Sequence, residues 1–335
     1  MSEERKKKSR GVMLFRMVFF ALSVFVLVRI VDFKLVLEHI RGIPFGVLAV
    51  LVLIAVARIW LNGVRWQLMN PDTSQQLSRW QYFRLMMISH AFNLIMPGAL
   101  GGDFAKMAMT VKTVKARRVD NLIAILADRF VGLFSITLLG VTALCFISDI
   151  PDKRPFYGLF GLLAFGFALS LVAAGNTKLL CGFKLLFSYM GTLGKKAVHV
   201  LEIWQEALQF FGRNRHRLLY ALLLCLPIHG LSFLTTYILS QSLGMAVSFF
   251  DIAAVLSLVW LLTAVPLTIS GAGVRELSFI YFLSLYGIDK SAATALSIYM
   301  YIVSVIIGLI GLLFITSSSE SNKESSSVPG SQRIG

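Results

Sequence analysis

Acidic residues are scarce in this sequence: 17 Asp and Glu stand against 32 Lys and Arg, and charged residues of both signs make up only 15% of the 335. A soluble domain of that length needs more polar surface than this, because 57% of the residues are hydrophobic and mean hydropathy is +0.76. The composition therefore excludes a soluble globular domain and predicts an all-α integral membrane protein. Cysteine is scarce too. Cys145, Cys181 and Cys225 are far apart, odd in number and without CxxC spacing, which excludes a disulfide framework or metal site and leaves small apolar fillers. No GxSxG, HExxH, DxD or P-loop pattern has suitable flanks, so neither enzyme chemistry nor a cofactor is expected. The net charge of +15 is no nucleic-acid footprint, because its cations sit in short loops between apolar runs.

What is present is a set of apolar runs at 12–31, 44–62, 85–100, 119–147, 156–174, 218–240, 251–269, 274–287 and 291–316. A full crossing needs roughly 20 apolar residues. The basic segment 1–11 followed by 12–31 resembles a signal peptide, but no small-residue cleavage site follows, so this run is read as an uncleaved first span.

Two segments share one pattern: Pro97-Gly-Ala-Leu-Gly101-Gly102-Asp103-Phe-Ala-Lys106 and Pro266-Leu-Thr-Ile-Ser270-Gly271-Ala-Gly273-Val-Arg275. Proline, glycine and cation recur at an offset of 169, about half the chain. Corresponding Pro/Gly breaks in two hydrophobic halves mark the discontinuous segments that build a midplane site in transporters. The short runs around each break are accordingly read as re-entrant hairpins at about 80–115 and 251–288, with Pro97, Gly101, Gly102, Pro266, Gly271 and Gly273 as tips and hinges. Two membrane repeats result, 12–150 and 151–316, each with three full spans and one hairpin, six full spans in all. Three crossings are an odd number, so the second repeat enters upside down and the hairpins approach from opposite sides. With this topology 24 Lys and Arg lie in cytoplasmic segments and only six outside, which places both termini in the cytoplasm of a cell whose inner membrane holds the protein. Residues 176–217 carry apolar residues at helical spacing among cations, as interfacial helices or a packed cytoplasmic cap do. The tail 317–335, with eight serines, is expected to be disordered.

Ionisable residues inside hydrocarbon are costly and hence candidates for function. Asp128-Arg129 falls about ten residues into its run, roughly 15 Å deep at 1.5 Å per residue. Adjacent helical positions do not face each other, so the two need different partners, to be found among Asp103, Lys106, Arg275 and Glu276. These six line a site or pin helices together. Asn93 and His90 share one face just before Pro97, His90 as an interhelical hydrogen bonder or a proton relay. His229, beside Pro227, suggests a kinked span with one polar group. Arg58, Asn62 and Arg65, at i, i+4, i+7 with Trp60 and Trp66 alongside, read as an interfacial anchor or as a ramp collecting anionic headgroups, each cation worth about 1 kcal/mol near a negative leaflet.

The order Asn93-x3-Pro97-x3-Gly101-Gly102-Asp103-x2-Lys106, then Asp128-Arg129, then Pro266-x4-Gly271-x-Gly273-x-Arg275-Glu276 resembles the flippase-type transmembrane domain of lysylphosphatidylglycerol synthases and the related stand-alone membrane proteins. The resemblance implies a lipid-handling membrane domain whose best-known members move an aminoacylated phospholipid between leaflets. Two departures stand out: Lys106 where that family usually has Arg, and Ser270-Gly271 in place of a glycine pair. Lys106 neutralises phosphate as a point charge without the bidentate fork of Arg. After Thr316 only the serine-rich tail remains, so the aminoacyl-transfer step is not expected here. The expected function is transport of a phosphate-bearing lipid, an anionic phospholipid or polyprenyl phosphate, with Arg129, Lys106 and Arg275 on the phosphate, Asp103, Asp128 and Glu276 holding those cations or meeting a cationic headgroup, and Asn93 beside them. A homo-oligomer or a pathway enzyme is the protein partner to consider. The other classes to weigh are a non-catalytic subunit of lipid-linked glycosylation or lipid modification, an ion-coupled transporter of a small soluble anion, and a lipid-modifying enzyme.

Overall fold

A computed structural model of the chain describes residues 28–70, 77–95, 101–114, 118–147, 152–175, 214–264 and 271–326, with a few isolated positions besides. The described residues form helices and no strands. In chain order these are α1 (Phe33–Arg41), α2 (Phe45–Met69), α3 (Arg79–Ile95), α4 (Gly101–Val114), α5 (Arg118–Ala143, extended by a 3₁₀ turn Leu144–Phe146), α6 (Arg154–Gly175), α7 (Arg215–Ser242), α8 (Phe249–Ala264), α9 (Val274–Ser284) and α10 (Lys290–Ser326). Four stretches are long and apolar enough to cross a membrane: Phe45–Met69, Leu122–Phe146, Arg215–Ser242 and Lys290–Phe314. The 22-residue α6 lies where a further span was expected. The first expected span, the N-terminal segment 1–11, most of 176–217, Pro97 and Pro266 lie outside the described residues.

Helix boundaries follow local chemistry. Asp32 accepts from Lys34 N at 2.9 Å and starts α1. Ser248 and Asp251 cap each other's backbone at the start of α8 (2.8 and 3.2 Å), and Asp289 accepts from Ser291 N at 2.7 Å before α10. Within the helices, buried hydroxyls of Thr110, Ser135, Thr236, Ser257 and Thr294 donate to the carbonyl four residues earlier, which satisfies them where no water is at hand. The last helix corrects one expectation: α10 continues to Ser326, so the first ten tail residues are helical. No glycine or proline interrupts the sequence from Leu312 until Pro329, and serine is a tolerable helix residue, so the helix has no reason to stop at the end of the apolar run.

The helices between the long ones are short, 17 and 14 residues for α3 and α4, 16 and 11 for α8 and α9. At 1.5 Å per residue α4 and α9 reach only about 21 and 16 Å, less than the roughly 30 Å hydrocarbon thickness. α3 packs on α4, and α8 on α9. The packing has an internal regularity. α2 packs on α7, α3 on α10 and α8 on α5, α2 on α3 and α7 on α8, α4 on α5 and α9 on α10. Exchanging α2–α5 for α7–α10 reproduces this pattern. α8 is buried nearly all round, from Asp251 to Val259, and forms the centre of the larger apolar cluster with Phe156, Phe160, Phe279, Phe282 and Leu296. A second cluster of Trp66, Met69, Tyr82, Ile125, Val131 and Cys225 fills the other end.

Helices in a bilayer gain little by hiding apolar side chains from equally apolar lipid, so close backbone approach matters more. Glycine provides it at both symmetric contacts. A Cβ at Gly140 of α5 would collide with Ser257 of α8 and the Phe160 ring, and one at Gly311 of α10 would collide with the Met87 carbonyl of α3. The backbone carbonyl cannot swing away as a side chain can. Gly311→Ala should therefore cost about 1–3 kcal/mol and lower the melting temperature in detergent. Gly158→Ala, at a position with open space around it, should stay within about 0.5 kcal/mol of the parent. Equal melting temperatures for the two variants would contradict the close-contact account.

Candidate functional site

Between the two apolar clusters lies a cavity of about 470 Å³. The level is the same on three helices: Ile59 belongs to the larger cluster and Trp66 to the smaller on α2, Ile136 and Val131 on α5, Phe233 and Cys225 on α7. At or beside that changeover the sequence places Arg58, Asn62 and Arg65 on α2, Asp128 and Arg129 on α5, and His229 on α7. The first short helix pair adds Ser89, His90 and Asn93 from α3 and Asp103 and Lys106 from α4, and the second adds Trp260 and Thr263 from α8 and Arg275 from α9. Asp128 comes six residues after the start of the span Leu122–Phe146, about 9 Å in, shallower than the mid-depth expected from the apolar run alone. The cavity thus reaches from the middle of the bundle toward the end where α2 finishes and α5 begins.

Its charges are ordered in three groups. Arg65 Nε lies 2.9 Å from Asp128 Oδ1, both side chains over nine-tenths buried, and Arg65 Nη1 also donates to Cys225 Sγ at 3.3 Å. Asp103 takes two cations at once: Lys106 Nζ at 2.9 Å on Oδ1, and Arg129 on Oδ2 at 2.6 Å from Nε and 2.5 Å from Nη2. Lys106 also sits 4.7 Å over the Trp66 ring, whose negative face stabilises the ammonium. Arg275 Nη2 lies 2.6 Å from Glu276 Oε1, and Ser297 of α10 joins both, accepting from Arg275 at 2.9 Å and donating to Glu276 at 2.9 Å. Glu276 Oε2 also accepts from Gly273 N at 2.6 Å, capping α9. Gly271 and Gly273 have φ of +73° and +86°, which a side chain would strain, so this tip needs its glycines.

Between α3 and α4, Asn93 plays a corresponding part: its Oδ1 accepts from Gly102 N at 2.7 Å and ties the start of α4 to α3. A Cβ at Gly102 would overlap Ser89 and Asn93, so the two arms meet backbone to side chain without room to spare. Gly102 is held by contact, whereas Gly271 and Gly273 are held by backbone angle.

Arg58 differs from the other cations. Among the described residues no carboxylate lies within 4 Å of it. Its guanidinium donates to Ser232 Oγ at 2.7 Å and stands 5.6 Å from the Trp260 ring centre. Asn62, which also lines the cavity, donates to the Arg58 carbonyl one turn back. Among the described residues, five cations (Arg58, Arg65, Lys106, Arg129 and Arg275) therefore face three carboxylates (Asp103, Asp128 and Glu276), an excess of two positive charges in and around one enclosure. Arg129, a third exposed, is the most accessible of the paired ones.

The structure brings together Asn93, Asp103, Lys106, Asp128, Arg129 and Arg275 on one wall, with Glu276 just behind Arg275. It also places Arg58, Asn62 and Arg65 in that wall, inside the bundle, where the sequence suggested an interfacial anchor or headgroup ramp. Asp128 and Arg129 do take different partners, but the partner of Asp128 is Arg65, which was not among those expected. The signal for it was the i, i+4, i+7 spacing of Arg58, Asn62 and Arg65 within apolar sequence, the same face that α2 turns inward. Cys225 is a hydrogen-bond acceptor for Arg65 as well as a filler. Trp66, Ser232, Trp260 and Ser297 complete the site and carry no motif that singles them out. Among the described residues no three His, Cys, Asp or Glu side chains gather as a metal ligand set.

The chain is 29% identical over 205 residues, 59% of its own length and 76% of the relative's, to the UPF0104 membrane protein MJ1078 of Methanocaldococcus jannaschii. No solved structure matches it. Residues 13–311 match the family described as lysylphosphatidylglycerol synthase TM region, which spans every helix that contributes to the cavity. The chain belongs to that family.

Proposed function

We propose that this protein is a flippase-like lipid transporter that carries a phosphate-bearing lipid between leaflets, its headgroup in the polar cavity and its tails in the bilayer. The observation that carries the reading is the excess of two positive charges, with Arg58 unmatched by any described carboxylate. A buried cation without an anion is costly, and a phosphate group with one to two negative charges offsets that cost while accepting several charge-assisted hydrogen bonds. Unassisted, a charged headgroup meets tens of kcal/mol in hydrocarbon in the Born limit. Arg58, Arg129 and Arg275 face it with forked donors and Lys106 with a compact charge, whereas Asp103, Asp128 and Glu276 keep the array from scattering when the site is empty. Membership of a lipid-related membrane family supports the lipid over a soluble anion. The chemistry needs no covalent step, so no enzymatic role is proposed.

Alternating exposure would come from the two helix pairs. Their shortness, the equal offset of their Pro/Gly/cation breaks and the packing that survives exchange of halves support oppositely inserted re-entrant hairpins, with both termini in the cytoplasm and the cavity open on that side. Rocking one repeat against the other about Gly102 and Gly271 would then expose the site to the opposite leaflet.

The transport reading is tested with the purified protein in proteoliposomes and headgroup-labelled anionic phospholipids or polyprenyl phosphates. The parent should move at least one of them between leaflets. Arg58→Gln strands no carboxylate, so it should fold normally yet transport at least tenfold more slowly. Asp128→Asn leaves Arg65 buried and alone and should instead lower stability by about 3–5 kcal/mol. Transport by Arg58→Gln at the parental rate would rule this site out, and folded parent that moves no lipid would favour a non-catalytic scaffold.

The hairpin topology makes a separate prediction. Single cysteines at Trp80 and Lys112, at the outer ends of α3 and α4, should react with an impermeant maleimide from the same side of the membrane. Labelling from opposite sides would make α3 and α4 together a single crossing and remove the hairpin.

A further inference from the structure

Two histidines remain without a role in phosphate binding. His90 of α3 and His229 of α7 both line the main cavity, and both flank Arg58. His229 is 4% exposed and stands edge-on to Trp260, the ring that also receives Arg58, with centroids 6.3 Å apart. His90 and Arg58 are shared with a second, smaller cavity of about 60 Å³, whose other polar walls are Ser232, Thr235 and Ser304. That space holds a few water molecules at most. The polar atoms are unusual for a membrane interior: Nε2 of His90 and both ring nitrogens of His229 are buried without a hydrogen-bond partner. A backbone group of Ser304 hydrogen-bonds His90, and one of Gly132 lies close to His229.

The charged groups around the pair explain what the nitrogens are kept for. His90 meets Arg58 from α2, with Asp103 and Lys106 of α4 lining the same cavity, while the α10 residues beside it, Met300, Val303, Ser304 and Ile307, carry no charge. His229 meets Arg58 and Arg65 from α2, with Asp128 and Arg129 of α5 on the same wall and the neutral Trp260 of α8. With the cavity empty, protonating either ring would add a third unmatched positive charge to the enclosure. With a phosphate diester on Arg58, the same proton would sit between an anion and a ring nitrogen that has no other partner. Anion and proton are therefore favourable together and unfavourable apart.

We propose that His90 and His229 form a proton site coupled to the anion site, so that the lipid phosphate enters the cavity together with about one proton taken from water. The inference rests on the anion-binding reading above and adds to it a co-substrate, and with that an energy source: a proton gradient would bias the direction of lipid movement. Nothing is oxidised or reduced; the proton binds an imidazole lone pair on loading and returns to water on release.

The test is proton linkage on binding. Purified protein in detergent is titrated with dihexanoyl phosphatidylglycerol below its micellar concentration, a phosphodiester that does not itself titrate near neutral pH. Calorimetry in buffers of different ionisation enthalpy gives the number of protons taken up per anion. About one is expected for the parent at pH 7, falling to near zero in a His90→Gln, His229→Gln double variant, with the single variants showing which ring carries it. Because the parent measurement stands alone, a variant that fails to fold leaves the answer intact. Binding with no proton uptake by the parent, or uptake that survives the double substitution, would overturn the proton site while leaving the anion site standing. No binding of the phosphodiester would overturn both.

Discussion

Hydrocarbon cannot solvate a charge, and that constraint organises this bundle. Each of Asp103, Asp128 and Glu276 is buried and holds at least one cation at 2.5–2.9 Å. The pairs do not merely sit within helices. Arg65 to Asp128 joins α2 to α5, Arg129 to Asp103 joins α5 to α4, and Arg275 with Glu276 reaches Ser297 to join α9 to α10. A buried pair of this kind is weak as a source of net stability but costly to break, by about 3–5 kcal/mol when one partner is removed. It therefore specifies which helices meet and at what register, more than it strengthens the fold.

The same charges leave the site poised for an anion. Two pairings are shared or open: Asp103 is divided between Lys106 and Arg129, and Arg58 has a hydroxyl and an indole ring where a carboxylate would be expected. A lipid phosphate could contact Arg58 and Arg129 without dismantling the Arg65–Asp128 lock. Structure and transport would then use different members of one charge array, which is why substitutions within it should separate into those that unfold the protein and those that only stop it. Small residues complement this: close approach at Gly140 and Gly311 fixes the long helices against the short pairs, and the positive-φ Gly271 and Gly273 set the turn that leads into α9.

Much of this was legible in the sequence because membrane proteins write their constraints plainly. Apolar runs located most of the described helices, though α2 and α10 continue seven and ten residues beyond them and α1 and α4 have no run of their own, and the repeated Pro/Gly/cation pattern pointed to the two short helix pairs. Embedded ionisable residues named most of the cavity wall. The misses have physical causes. Arg58 and Arg65 follow directly after apolar sequence, beside Trp60 and Trp66, and an interfacial anchor looks the same in one dimension; only the packing of α2 on α7 and α5 turns them inward. The link from Arg65 to Asp128 spans 63 residues, and no local spacing encodes it. Ser232, Ser297 and Trp260 are ordinary apolar-helix residues by sequence and gain meaning from what faces them. The helical start of the tail was missed because low hydrophobicity argues against burial, and α10 needs no burial to continue one more run of residues once nucleated.

The most direct measurement is a structure of the protein in lipid nanodiscs containing the phosphate lipid that it moves. The account predicts headgroup density inside the cavity, with phosphate oxygens within hydrogen-bonding distance of Arg58 and Arg129, the Arg65–Asp128 pair intact and the acyl or prenyl tails leaving sideways between helices. A cavity filled only by water, with the lipid phosphates confined to the bilayer surface, would contradict it.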